Sequence, residues 1–139
     1  MLCFFFEPLC FFAERSALDL SDDPAARARV AVLLGVAHCL AGQAAEAVAV
    51  LAEGRADLGG RDPDALAELE AVGLTVATYM RDGGMPDRER FAALEPLTHG
   101  GSWGARALAA MLAATAAHTG MGTARVTGLL DRALDGPIL

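Results

Sequence analysis

Apolar positions recur every three or four residues along most of the chain, and short polar or glycine-rich breaks cut the pattern into segments. That spacing stacks apolar side chains on one face of a helix. Helices are expected from Pro24 to about Cys39, from about Ala44 to Leu58, and from Pro63 to about Met80. The third of these carries Leu66, Leu69, Val72, Val76 and Tyr79 on or near one face. A short helix from about Asp87 to Leu94 carries Phe91 and Leu94, and longer ones follow from Trp103 to about His118 and from about Thr123 to Leu134. The stretch from Leu97 to Gly101 reads as a glycine-rich loop. No long run alternates apolar and polar residues in the manner of a strand, so the predicted fold class is all-α.

The breaks agree with this division. Ser21-Asp22-Asp23-Pro24 and Asp62-Pro63-Asp64 are helix starts. Their oxygen-bearing side chains can accept bonds from unpaired amides, and proline loses nothing in the first turn. Gly42, Gly59-Gly60, Gly83-Gly84, Gly120-Met121-Gly122 and Gly136-Pro137 are stops or turns, and Ser102 is a cap. Gly73 lies inside the third helix, where glycine costs about 1 kcal/mol against alanine.

Between Ala31 and Gly59 the residue sizes follow a helix-turn-helix repeat of the tetratricopeptide type, with a weaker echo near the C-terminus. Leu34, Gly35, His38, Gly42, Ala47 and Leu51 fall where such a unit places a large apolar residue, a small one, a bulky one, a turn glycine, a small crossing residue and a large apolar one. One unit cannot bury its apolar face alone and needs stacked neighbours. The segment from Pro63 to Gly101 does not match a second strict repeat. The expected architecture is an antiparallel array of helix hairpins over residues 21–139, preceded by an apolar segment, residues 1–20. Ala47 is expected at a close helix crossing and Ala45 nearer solvent.

Composition limits what such an array could do. The 139 residues suit one domain with a real core. The chain has no Lys and no Asn, and a single Ile, Ile138. All 11 basic residues are therefore arginines, against 18 acidic ones, for a net charge of −7. That bias points to a GC-rich coding sequence, not to phosphate recognition. No basic stripe exists to displace counterions from a nucleic acid. The acids alternate with arginines along helix faces in the pattern of solvated surface. Cys3, Cys10 and Cys39 are odd in number and irregular in spacing, which fits a reducing, cytoplasmic setting.

Candidate chemistry is thin. A Walker-type phosphate loop needs a lysine, and there is none. His38 and Cys39 are adjacent and point to different sides of a helix, and no Cys-x-x-Cys or His-x-x-x-His pair is present to bind zinc. Ser102, in Gly-Gly-Ser-Trp-Gly, has no preceding strand to form a nucleophile elbow, so it reads as a cap. Glu68 and Glu70 are two residues apart and face differently. No catalytic residue, cofactor or metal is assigned. Trp103, the sole Trp, reads as a staple pinning the start of its helix to the preceding one. Weak candidates for contact with an effector or partner are Trp103, His99 and Tyr79.

Met1 to Phe12 holds five of the six Phe but is broken by Glu7 and Pro8. It lacks a basic residue before the apolar run and is too short to span a bilayer. It is expected to cover an apolar end of the helical stack or to adhere non-specifically. A membrane partner is not expected.

From about Asp22 to Leu139 the chain resembles the helical-repeat region of large bacterial LuxR-type transcriptional regulators with an ATPase module. The stretches that carry the likeness are Asp23-Pro-Ala-Ala-Arg-Ala-Arg, Leu34-Gly-Val-Ala-His-Cys-Leu-Ala-Gly, Ala45-Glu-Ala-Val-Ala-Val-Leu and Leu129-Leu-Asp-Arg-Ala-Leu. The family's P-loop and basic recognition helix are absent from this chain, so the resemblance does not carry over ATP hydrolysis or DNA binding. It implies a non-enzymatic interaction or sensor module that docks other protein domains or a small effector, and that can self-associate through its open ends. The rival expectation is a small stand-alone helical enzyme or ligand carrier with a pocket near Trp103, His99 and Tyr79.

Overall fold

A computed structural model describes residues 21–79 and 85–136. Six α-helices account for most of them: α1 (Pro24–Leu40), α2 (Ala44–Leu58), α3 (Pro63–Tyr79), α4 (Arg88–Leu94), α5 (Trp103–His118) and α6 (Thr123–Leu134). Among the described residues there is no strand, so the all-α expectation holds. One element differs from the sequence reading. Glu95–His99, expected to belong in part to a loop, is a 3-10 helix. Pro96 fits its first turn, and the Thr98 hydroxyl donates to the Glu95 carbonyl at 2.7 Å.

The starts are made as the side chains predict. Asp23 accepts from the Ala25 amide at 3.1 Å, Asp62 from the Ala65 amide at 3.1 Å, and Ser102 from the Ala105 amide at 3.1 Å. Asp87, expected inside α4, is instead its cap and accepts from the Arg90 amide at 2.8 Å. The turn between α1 and α2 needs Gly42, whose φ of 77° would strain any other side chain. The Gly83-Gly84 break, Met80 and the Met1 to Phe12 segment lie outside the described residues.

α1 and α2 form a hairpin, and α3 packs on both. Small residues set this contact. A Cβ on Gly35 would lie 2.8 Å from the Leu51 side chain, and one on Gly54 would lie 2.7 Å from the Ala31 Cβ. Ala47 is fully buried and Ala45 is exposed, the difference in burial expected for the two positions. This first core gathers Ala28, Val32, Leu51, Leu58, Leu69 and Val76.

A second core lies on the opposite side of α3. It gathers Ala67 and Leu74 from α3, Phe91 and Leu94 from α4, Leu108 and Leu112 from α5, and Leu129 from α6. α3 is thus buried on two faces. Positions 65, 69, 72 and 76 turn to the first core, and positions 67, 71 and 74 to the second.

α3 and α5 run parallel, which follows from their two ends. At the start of α5, a Cβ on Gly104 would come within 2.8 Å of the Glu68 amide nitrogen and 2.9 Å of the Asp64 carbonyl oxygen, near the start of α3. At the far end, Leu74 and Thr78 of α3 share a cavity wall with Thr115 and His118 of α5.

Candidate functional site

The three residues singled out for contact do not form one site. Tyr79 ends α3, whereas Gly104, the neighbour of Trp103, packs against the first turns of that helix. The rise of an α-helix then separates Tyr79 from the Trp103 end by roughly 20 Å. His99 ends the 3-10 helix, is exposed, and keeps Nδ1 3.2 Å from the Pro96 carbonyl. Tyr79 is 77 % exposed and Trp103 57 % exposed. Trp103, read from the sequence as a staple, thus keeps more than half of its surface open. Its neighbour Gly104 pins the helix start, because the absent side chain lets the two backbones meet.

Concave surface appears instead at the opposite end of the α3–α5 pair. A cavity of about 210 Å³ is lined by Leu74, Ala77, Thr78, Met85, Pro86, Thr115 and His118. It is small against the 300–1,000 Å³ typical of ligand pockets. The two threonine hydroxyls at its wall already donate within the fold. The Thr78 hydroxyl donates to the Leu74 carbonyl at 2.8 Å, and the Thr115 hydroxyl to the Met111 carbonyl at 3.0 Å. His118 stands exposed at the rim, in the last turn of α5.

Two carboxylates cross-link the elements, and they correct the expectation that the acids merely face solvent. Glu70 is only 6 % exposed. Its Oε1 lies 2.6 Å from Arg55 Nε of α2, and its Oε2 accepts from Arg90 Nη2 of α4 at 3.2 Å. The Arg55 contact is a close approach of charges, since that N–H is not aimed along a hydrogen bond. Glu95 makes the equivalent bridge from the 3-10 helix to Arg125 and Arg132 of α6. Arg132 also donates to the Thr98 hydroxyl at 3.1 Å, and the Arg125 guanidinium sits 4.9 Å from the centre of the Phe91 ring. All four cations are spoken for within the fold, which makes both bridges structural ties.

His38, expected to fill space in the hairpin, is half-buried and also hydrogen-bonds to Gln43 across the turn at 2.8 Å. Among the described residues no group of three or more His, Cys, Asp or Glu could hold a metal ion, and no helix is long and apolar enough to cross a membrane.

The surface that stands out is apolar and lies on the two outermost helices. α1 exposes Leu33, Val36 and Leu40, spaced by three and four residues. α6 exposes Leu130 and Leu134, and Leu129 is its one fully buried residue. Sequence reasoning missed both faces, because a leucine at helical spacing reads as core unless the position of the helix in the stack is known. No protein-family model, curated protein or solved structure matches this chain.

Proposed function

We propose that the chain is a non-enzymatic helical-repeat interaction module of tetratricopeptide-like build, which docks other protein domains or an effector. The observation that carries this reading is the pair of unpartnered apolar faces on α1 and α6, the first and last described helices. A stack of hairpins buries each helix against the next, so its ends are where apolar side chains stay open. The Gly35–Leu51 and Gly54–Ala31 contacts in the first hairpin, and the parallel packing of α3 and α5, support the repeat reading. The likeness to the helical region of LuxR-type regulators belongs to the same proposal, with this chain a fragment or truncated relative serving as scaffold or sensor.

A ligand carrier is the second reading, favoured by the cavity between the ends of α3 and α5. Co-purification separates the two. The chain is co-expressed with the polypeptides encoded on either side of it. A stoichiometric complex that Leu134→Glu abolishes, in a variant that keeps its helical circular dichroism, supports the module. A small molecule that co-purifies with the chain and is lost on Thr115→Leu replaces it with the carrier.

A further inference from the structure

We propose that the apolar face of α1 is the docking site for the chain's own N-terminal segment, Met1 to Phe12. Leu33 and Leu40 are 69 % and 84 % exposed, and Val36 lies between them on the same side of the helix. Three large aliphatic side chains in a row on a terminal helix are costly to leave in water, at about 25 cal/mol per Å² of apolar surface.

The sequence directly before α1 has the matching chemistry. Residues 1–12 hold Phe4, Phe5, Phe6, Phe11 and Phe12 together with Met1, Leu2 and Leu9, and so concentrate five of the protein's six Phe side chains. The reach is sufficient. Leu33 lies about 14 Å along α1 from its first residue, and Leu40 about 24 Å. The eight residues from Ala13 to Leu20 can span up to about 26 Å when extended. Charge points the same way. Arg29 is exposed one turn before Leu33, while Glu7, Glu14 and Asp19 lie in or beside the segment. The segment would thereby act as an end cap for one side of the stack, leaving α6 as the open side.

Arg15 is the only tryptic site before α1, because the chain has no Lys and Arg27 is the next Arg. Arg15 follows the proposed docked segment by three residues, and cleavage reports on docking because trypsin must seat the residues flanking the cut, Phe12 among them, in extended form. The experiment follows trypsin cleavage after Arg15 in the full-length chain by mass spectrometry, with light scattering at several concentrations. In wild type the cleavage should be slow and independent of concentration, in a monomer. Leu33→Glu/Leu40→Glu should speed it by about tenfold or more, since cleavage tracks the population of the undocked state. Phe11→Ser/Phe12→Ser should do the same from the other side of the contact. Leu134→Glu should leave the rate unchanged. Circular dichroism identifies any variant that has lost its fold, and either double variant alone decides the matter. Equal cleavage rates in wild type and in the folded double variants would overturn the proposal. So would protection that rises with protein concentration in a dimer, which would make a second copy the occupant.

Discussion

The two cores share one helix and are built by different means. In the first, α1, α2 and α3 are long, and contact is set by small residues. Gly35 faces Leu51, Gly54 faces Ala31, and Ala47 is fully buried. In the second, α3 is joined not by a 15-residue helix such as α2 but by the seven-residue α4 and a five-residue 3-10 helix. Bulk makes up for the missing length. Phe91 and Leu94 enter from the short element, and Arg125 lies over the Phe91 ring. A regular hairpin can thus be held by close backbone approach, whereas a shortened one needs large side chains and charged ties.

The contrast can be broken most directly at Phe91, the largest fully buried side chain of the second core. Phe91→Ala should lower stability by about 3–5 kcal/mol in denaturant titration, because it removes a fully buried ring and leaves a cavity in the core. In the first core the damage should come from adding volume. Ala47→Leu should cost about 3 kcal/mol by overpacking, while Ala45→Leu on the exposed side should leave the melting temperature nearly unchanged. Equal melting temperatures for these two variants would mean that the hairpin register is wrong.

Glycine substitutions sharpen the comparison. A methyl group at Gly104 would meet the backbone of α3, which cannot step aside. Gly104→Ala should cost about 2 kcal/mol. The same change at Gly35 meets the Leu51 side chain from Cγ outward and no backbone, so it should cost less in the same thermal melts. The smallest effect is a gain. A Cβ on Gly73 would approach only the Arg55 side chain, at 3.8 Å. Gly73→Ala should therefore stabilise by about 0.5–1 kcal/mol, as a small upward shift in melting temperature.

Helix boundaries were legible in the sequence because their causes are local. Asp-Pro starts, a Ser cap and glycine stops act within a few residues, and the caps form as the sequence implies. The 3-10 helix was not legible, since Glu-Pro-Leu-Thr-His carries loop-forming and helix-forming cues together. The bridge through Glu70 was hidden for another reason. Its partners stand 15 residues before it and 20 after it, so only the packing of α2 and α4 against α3 brings them together. Tyr79, His99 and Trp103 were chosen by type, and residue type says nothing of which positions the fold brings together. The parallel course of α3 and α5, which separates the first from the other two, depends on elements far apart in the sequence, and the absent side chain at Gly104 only lets their starts approach closely.

That α3 is lined on both sides has a consequence for how the molecule loses its structure. Neither half keeps a complete wall if this helix leaves, so fraying cannot stop at the border between the halves. Damage on the Leu69 side is transmitted to Leu74 through the rigid rod they share, and Glu70 clamps both flanks of that rod. Chemical and thermal denaturation of residues 21–136 should accordingly be all-or-none, with one midpoint reported alike by Trp103 fluorescence and by helical circular dichroism.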